Sequence, residues 1–201
     1  MVKVNSAIAT SPIGGAVHGG LDKAIYIAEV PYTPGIDLRV DPASPAFAAV
    51  NQVLGLTLNP QVGSVVRKNA DCIVSQGEQP GANGISALCL GPDWWLLTGT
   101  ANIAALLKPV QEAHHISVVD VSAQRTKLEI YGPKVKEVLG HVWEQDLRDS
   151  EFPIDACTQG LMAKSPVILW HCCENCYLIF VRSSFAQHLW EVLTDSTVEY
   201  L

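Results

Sequence analysis

The sequence predicts an α+β fold of two layers, in which helices cover one face of a mixed or antiparallel sheet. First, the order strand, helix, strand, strand, helix occurs twice along the 201-residue chain. Second, each candidate helix has a single apolar face, which suits a helix that packs on a sheet. Third, the consecutive strands of each pair are separated by a short turn, as in a β-hairpin. Together these observations predict duplicated βαββα units.

The predicted first repeat covers residues 37–118. Its elements, in chain order, are a strand over 38–40, a helix over 45–54, strands over 85–90 and 94–97, and a helix over 103–110. Pro45 suits the first turn of its helix, where the missing N–H is not required. The linker 59–84 is rich in Gly, Asn, Gln and Ser, and we expect short strands at 62–66 and 73–74 within it.

The predicted second repeat covers residues 119–201. Its elements are a strand over 128–130, a helix over 133–143, strands over 167–171 and 177–181, and a helix over 185–193. Apolar residues of the helix over 133–143 recur with the spacing of one helical face. Ser184, followed three residues later by Gln187, predicts a capping box at the start of the last helix.

The first 36 residues are predicted to form an N-terminal arm and a first strand. Residues 1–22 hold mainly Gly, Ala, Ser and Val, and they have few large apolar side chains to bury. Such a segment is either a disordered tail or an arm that becomes ordered on a neighbouring subunit. Its low charge favours the arm. A strand is predicted over 24–30.

The composition indicates a protein with a partner. Charged residues make up 16% of the chain and apolar residues 48%, and the mean hydropathy is +0.20. No apolar run reaches the roughly 18 residues that cross a bilayer, so we expect no membrane segment. The apolar surplus lies either in a large core or on a surface that another protein covers, and we favour the second explanation.

Charge and cysteine usage exclude other classes. The net charge is −7 and the 13 Lys and Arg are scattered, so nucleic-acid binding is not expected. The N-terminus lacks the continuous apolar stretch of a secretory signal. Six cysteines without an export signal favour reduced thiols and a cytoplasmic location.

The tract 171–176 contains Cys173 and Cys176 at C-x-x-C spacing. A structural zinc needs four ligands, and no second pair of ligands is evident in the sequence. The favoured interpretation is that the two cysteines flank a two-residue turn and face each other across a hairpin. A metal or redox site is the alternative, and no metal ligand is predicted.

The string 120–125 is the remaining polar feature, because no nucleophile motif and no Gly-rich phosphate loop occurs in a suitable context. Asp120, Ser122, Gln124 and Arg125 are the candidate contacts for a ligand or a partner. The alternative, which we favour, is a structural loop in which Asp120 and Ser122 bond nearby backbone N–H groups. No catalytic or cofactor-binding residue is predicted.

The second repeat resembles a known family. Residues 120–122, 127–130 and 132–133 are similar to the folate-binding aminomethyltransferase (glycine-cleavage T-protein-like) superfamily. More narrowly, several stretches resemble the gamma subunit family of heterotetrameric sarcosine oxidase, namely 121–126, 152–153, 166–170, 181–186 and 189–190, with 38–42 in the first repeat. The similarity is strongest over residues 118–196, weaker over 36–110, and slight in the arm.

The resemblance implies an aminomethyltransferase-like fold and a structural, non-catalytic subunit of a flavin-dependent oxidase complex. That complex demethylates sarcosine to glycine, passes the one-carbon unit to tetrahydrofolate or releases formaldehyde, and produces hydrogen peroxide. The resemblance places FAD, FMN, NAD, zinc and tetrahydrofolate on other subunits, with no cofactor on this chain. It implies alpha, beta and delta subunits as partners, chiefly alpha.

Two alternatives stay open. One is a stand-alone folate-binding or one-carbon transfer protein of the same superfamily, although a Lys-Gly-Cys-Tyr type signature is absent and 201 residues is short for a full transferase. The other is a zinc-binding adaptor that uses Cys173 and Cys176.

Overall fold

A computed structural model of the chain describes residues 11–30, 32, 34–69 and 84–200. The strand predicted at 73–74, residues 1–10 of the predicted arm and Cys72 lie outside these ranges. The strands are β1 (Val17–Gly19), β2 (Tyr26–Glu29), β3 (Gly35–Arg39), β4 (Val65–Lys68), β5 (Ile85–Gly91), β6 (Trp94–Gly99), β7 (Ser117–Asp120), β8 (Arg125–Tyr131), β9 (Cys157–Met162), β10 (Ser165–Cys173) and β11 (Cys176–Arg182). The α-helices are α1 (Pro45–Leu54), α2 (Ile103–Ala113), α3 (Val135–Gly140) and α4 (Ala186–Asp195).

The strands form two antiparallel sheets. The six-stranded sheet has the order β1-β2-β8-β11-β10-β9, and the five-stranded sheet has the order β4-β5-β6-β3-β7. The chain passes between the sheets more than once, because β2 precedes β3 in sequence yet pairs with β8, and β7 precedes β8 yet pairs with β3. Each sheet therefore contains a strand, β2 or β7, whose next strand in sequence belongs to the other sheet.

Three apolar clusters define the layers. One lies between the six-stranded sheet and helices α3 and α4, and a second lies between the five-stranded sheet and helices α1 and α2. The third contains no helical residue and joins the inner faces of the two sheets, for example Leu88 and Leu96 with Trp170 and Leu178. The molecule thus has four layers in the order helix, sheet, sheet, helix.

The two-layer prediction therefore describes each sheet with its own helices and is wrong for the whole chain. Strands that pack on both faces are buried along their whole length. Residues 85–90 of β5 and 176–181 of β11 are all buried, so each sheet needs a covering layer on both faces.

The predicted helices are confirmed, with differences at their ends. In α1, Pro45 lies in the first turn and Gly55 adopts a left-handed conformation at the C-terminus. Helix α3 ends at Gly140, three residues before the predicted Trp143. The capping box at α4 is wrong, because the helix begins at Ala186 after a short 3₁₀ turn and the Gln187 side chain donates to Glu191 at 2.8 Å.

Residues 11–22 of the predicted arm pack on their own chain, which corrects the expectation that they order on a neighbouring subunit. Strand β1 pairs with β2, and the buried carboxylate of Glu29 accepts a hydrogen bond from the Gly15 N–H at 2.8 Å. The hydroxyls of Ser11 and Thr126 also bond Glu29. Because this segment has few apolar side chains to bury, hydrogen bonds hold it in place, and the three donors satisfy the buried Glu29 carboxylate.

Candidate functional site

The predicted contact residues lie where the chain crosses from one sheet to the other. Asp120 ends β7 of the five-stranded sheet, and Arg125 begins β8 of the six-stranded sheet. Residues 121–124 therefore form a crossover loop between the two sheets. The structure brings all four predicted residues, Asp120, Ser122, Gln124 and Arg125, into this region.

Ser122 holds the crossover loop onto β3. Its hydroxyl oxygen accepts a hydrogen bond from the Gly35 N–H at 2.9 Å. Its own N–H donates to the Asp120 carboxylate at 2.9 Å, and its hydroxyl also bonds that carboxylate. The bonds from Ser122 lower the pKa of Asp120, which stays ionised at neutral pH. Both side chains serve the local loop structure in this geometry.

Gln124 and Arg125 differ in their surroundings. The Gln124 side chain is exposed, and its backbone carbonyl accepts a hydrogen bond from the Ser183 N–H at 3.1 Å. Arg125 is half-buried and lies opposite Arg182 on the neighbouring strand. Desolvation, followed by the charge of Arg182, lowers the pKa of Arg125, and the Asp37 carboxylate acts in the opposite direction. Arg125 is thus the one predicted residue with a cationic group that turns toward the space between the sheets.

A small cavity adjoins Arg125, and Lys127 is its most unusual residue. The Lys127 ammonium group donates to the Thr98 hydroxyl at 2.9 Å and lies 5.7 Å from the centre of the Phe180 ring. The Thr98 hydroxyl in turn donates to the Pro34 carbonyl at 3.0 Å. Lys127 is on the six-stranded sheet and Thr98 is on the five-stranded sheet, so this bond ties the two sheets together. Burial lowers the pKa of Lys127 to about 7.

The size of this cavity limits what it can bind. Its volume is about 20 Å³, which is enough for about one water molecule. Pockets that bury a drug-sized ligand occupy roughly 300–1,000 Å³. In the conformation described, the cavity therefore has no room for a folate or for any cofactor of similar size.

The role of Lys127 was missed from the sequence. Lys127 lies in β8, and the residue two positions later in that strand, Glu129, is also ionisable and completely buried. Alternate residues of a strand share one face, so the pair predicts a polar stripe on a buried face. That signal was present in the sequence but is weak without knowledge that β8 is covered on both faces.

A larger cleft of about 610 Å³ lies between residues 61–64, just before β4, and residues 151–159, which lead into β9. Val62 and Ile154, both about half exposed, line it together with Asp155, which forms an ion pair with Arg67 at 3.0 Å. Cys157 also faces this cleft. Burial, with a smaller effect from Cys89, raises the pKa of the Cys157 thiol to about 12, so it is protonated and a poor nucleophile at neutral pH.

The cysteine hairpin has the predicted arrangement with one addition. Cys173 and Cys176 are paired across the turn between β10 and β11, which confirms that they face each other. A β-bulge at Cys172 adds a third thiol, and the sulfur atoms of the three cysteines lie within 4.8 Å of one another. This is the group in the described part of the chain that could hold a metal ion.

The comparisons with known proteins agree with one another. The model of the "Sarcosine oxidase, gamma subunit family" matches residues 39–199. Sarcosine oxidase subunit gamma from Corynebacterium sp. (strain U-96) is 32% identical over 182 residues, which cover 89% of this chain and 82% of that protein. The corresponding subunit from strain P-1 is 29% identical and covers 91% of this chain and 85% of that protein.

Solved structures extend the comparison to the fold. A chain of the heterotetrameric sarcosine oxidase from Corynebacterium sp. U-96, in complex with pyrrole 2-carboxylate, superposes with a TM-score of 0.75 at 31% identity, covering 91% of this chain and 87% of that one. The glycine cleavage system aminomethyltransferase T from Bartonella henselae gives a TM-score of 0.56 at 13% identity, covering 82% of this chain and 44% of that one. The second likeness is one of fold. No helix among the described residues is both long and apolar enough to span a membrane.

Proposed function

The chain belongs to the sarcosine oxidase gamma subunit family, and we propose that it is the structural gamma subunit of a heterotetrameric sarcosine oxidase. The observation that carries the proposal is the match over most of the chain, in sequence to the family and in structure to a chain of that complex. The match covers more than four-fifths of both gamma-subunit relatives, so the comparison concerns the whole subunit.

The reaction of the proposed complex is the oxidative demethylation of sarcosine. Sarcosine, water and oxygen give glycine, formaldehyde and hydrogen peroxide, and tetrahydrofolate takes up the one-carbon unit where it is present. The flavins would accept the two electrons lost when the C–H bond of the N-methyl group is oxidised, and would pass them to oxygen. On this proposal the flavins, NAD, zinc and the folate site belong to the alpha, beta and delta subunits, and this chain supplies no group that touches the substrate.

The polar groups between the sheets support a structural role. Ser122 and Asp120 are engaged with each other and with β3, and Lys127 bonds Thr98 across the sheet interface. The adjoining cavity holds about one water molecule. These groups occupy the contact between the two sheets, and a ligand of substrate size would have to displace them.

The outer surface supports a partner, which we propose is chiefly the alpha subunit. Val62 and Ile154 are 55% and 49% exposed and line the same cleft at the edge of the sheets. Apolar side chains that share a cleft are typical of the centre of a protein interface. We propose that the alpha subunit covers this cleft, which would also account for the low charged fraction of the chain.

We further propose that the chain is a duplication with repeats at 37–118 and 119–201 after an N-terminal segment of residues 1–36. The strand orders β4-β5-β6-β3 and β9-β10-β11-β8 support it, as does a β-bulge at the same place in both hairpins. Each repeat then has one more strand, β4 or β9, than the predicted βαββα unit. The leading strands β2 and β7 are exchanged between the repeats, and the boundaries at 36/37 and 118/119 fall inside β3 and β7.

Co-expression tests this function. The chain carrying an affinity tag is expressed with candidate alpha, beta and delta chains, and the purified material is analysed by native mass spectrometry and assayed for sarcosine-dependent hydrogen peroxide. We expect one copy of each of four chains and an active, flavin-containing complex. An active complex that assembles without this chain would contradict the proposal, and so would tight tetrahydrofolate binding by this chain alone in calorimetry.

The interface is tested by charge insertion. The double variant Val62→Asp/Ile154→Asp should lower recovery of the other subunits by about tenfold or more, because burying two unpaired carboxylates in a protein interface costs several kcal/mol. Val198→Asp is the matched control, since Val198 is 67% exposed and does not line this cleft. Equal recovery of the complex by the double variant and the control would show that the alpha subunit binds elsewhere.

A further inference from the structure

We propose that Cys172, Cys173 and Cys176 form a binding site for one thiophilic metal ion, with zinc as the expected occupant, in addition to the zinc that the proposed function places on another subunit. The site lies at the tip of the hairpin between β10 and β11. It is independent of the proposed structural function, because it concerns three side chains at the sheet interface rather than the outer surface.

The bulge explains how three sulfur atoms meet on a two-stranded hairpin. Adjacent residues of a regular strand point to opposite faces of the sheet, so Cys172 and Cys173 would diverge. In this hairpin His171 pairs with Tyr177 and Cys173 pairs with Cys176, which leaves Cys172 as an extra residue. A bulge places two residues of one strand opposite one residue of its partner. Both thiols of β10 therefore come close to Cys176.

The distances suit a metal bound by thiolates. A zinc–sulfur bond of about 2.3 Å separates the sulfur atoms of a tetrahedral site by about 3.8 Å. The Sγ atoms of Cys172 and Cys176 are 3.3 Å apart, and all three Sγ atoms lie within 4.8 Å of one another. Small rotations of the side chains are enough to reach the tetrahedral spacing. Thiolate donors select zinc or copper(I) over calcium and magnesium.

The surroundings also suit a cation. The Glu129 carboxylate is completely buried, and its Oε1 atom lies 3.5 Å from the Cys176 Sγ. A buried carboxylate is costly, and a neighbouring cation offsets that cost. Cys172 and Cys176 are fully buried, whereas Cys173 is partly exposed, so an ion has access from the hairpin tip. The fourth coordination position is filled by Glu129 or by a solvent molecule on that side.

The other hairpin of the fold provides an internal comparison. The hairpin between β5 and β6 has a bulge at the same place, with Cys89 paired to Trp95 and Gly91 paired to Trp94. Its residues at the positions of the three cysteines are Leu90, Gly91 and Trp94. Leu90 and Trp94 pack in the same layer between the sheets as the cysteines. Leu90 and Trp94 thus fill the space at the β5–β6 bulge without any thiol. Packing therefore does not require three thiols beside a carboxylate at the β10–β11 bulge, and metal binding explains their presence there.

Metal titration of the full chain tests the proposal. The chain, reduced and handled without oxygen, is titrated with cobalt(II) and then with zinc. We expect one equivalent of cobalt to give a thiolate-to-metal charge-transfer absorption, one equivalent of zinc to abolish it, and the melting temperature to rise with zinc. Cys173→Ser and Cys176→Ser should each weaken binding by roughly 100-fold or more, since loss of even an outer-shell partner costs 10–100-fold.

Cys89→Ser is the matched control, because Cys89 is a buried thiol near the equivalent bulge but outside the group of three. It should bind cobalt and zinc like the unmodified chain. The zinc content of the assembled complex provides a second measurement that avoids any folding defect of an isolated variant. It should fall by one per copy of this chain in Cys173→Ser and stay unchanged in Cys89→Ser.

Three results would overturn the proposal. They are no stoichiometric metal in the reduced chain and its complex, equal metal binding by Cys173→Ser and Cys89→Ser, and an intact mass two hydrogen atoms lighter that maps to a Cys172–Cys176 disulfide in the protein as purified. The last result would assign the pair to redox chemistry. None of them would affect the proposed subunit function, which is read from co-purification.

Discussion

Replacing Lys127 with methionine should remove a pH dependence of stability that a buried ammonium group creates. In the folded chain the pKa of Lys127 is about 7, and its ordinary value is 10.5. Desolvation is the cause, because the side chain lies between the two sheets beside Phe180. Methionine has a similar length and no charge, so it fills the same space. The Thr98 hydroxyl keeps its bond to the Pro34 carbonyl in the variant.

The sign follows from proton binding. At pH values between the folded and the unfolded pKa of Lys127, the unfolded chain binds more protons than the folded chain. The free energy of unfolding therefore rises with pH in this range. Below pH 7 both states are protonated, and the full cost of burying the charge is present. Above pH 10.5 both states are neutral and the cost disappears. From these two pKa values, the contribution of Lys127 should increase the free energy of unfolding by about 2.5 kcal/mol between pH 6 and pH 9.

Urea unfolding, followed by tryptophan fluorescence at pH 6, 7, 8 and 9, measures this effect. Lys127→Met should be more stable than the unmodified chain at pH 6, and the difference should shrink by about 2.5 kcal/mol by pH 9. Comparison of the two proteins cancels the titration of the cysteines and tyrosines, which both contain. Lys108→Met, at an exposed position of α2, serves as the control and should follow the unmodified chain at every pH.

Parallel stability curves for Lys127→Met and the unmodified chain would refute the reasoning. Such curves would mean that the lysine has the same pKa in both states, and hence that water or a counter-charge solvates it in the folded chain. Arg125 lines the same small cavity as Lys127, and it responds to the charge of Asp37. A rearrangement of that pair would then be the first place to look for the compensating charge.

Two further predictions concern close contacts between separate segments of the chain. Both are measured by the midpoint of urea unfolding. Ser122→Ala should lower the free energy of unfolding by about 1–2 kcal/mol, since the Gly35 N–H loses its acceptor; an unchanged midpoint would show that water replaces the hydroxyl. Gly132→Ala should also destabilise the chain, because Gly132 has φ +133° and an added Cβ would lie 2.4 Å from the Ala24 carbonyl oxygen. A stable Gly132→Ala variant would require a shift of β2.

Local features of this fold were predictable because local chemistry determines them. Pro45 and Gly55 mark the ends of α1 through backbone preferences that need no tertiary context. The turn at Glu174 and Asn175 was likewise set by its neighbours, and it placed Cys173 opposite Cys176 as expected. The predicted capping box at α4 is wrong because another local contact competes with it. The Gln187 side chain donates to Glu191, one helical turn later, instead of capping the start of the helix.

Non-local features could not be derived in the same way. Strand β2 pairs with β8 across about half of the chain, and nothing in four residues of β2 specifies that partner. The two-layer prediction is wrong because β5 and β11 are buried on both faces, which their continuous apolar runs indicate. Cys172 was missed as a member of the thiol group, since strict alternation sends it away from Cys176, and only the bulge reverses that direction.

The two hairpins show how one scaffold carries two separate properties. Both have the same bulge and both contribute to the layer between the sheets, so the geometry of that layer does not depend on cysteine. With Leu90, Gly91 and Trp94 in place of the three thiols, the bulge of the five-stranded sheet packs without a thiol cluster. If the thiols only fill space, replacing Cys172 and Cys176 together by leucine and tryptophan, the residues at the equivalent positions of the other hairpin, should leave stability unchanged in the presence and absence of zinc. If they bind metal, the same variant should lose the rise in melting temperature that zinc gives to the unmodified chain, while the subunit still enters its complex.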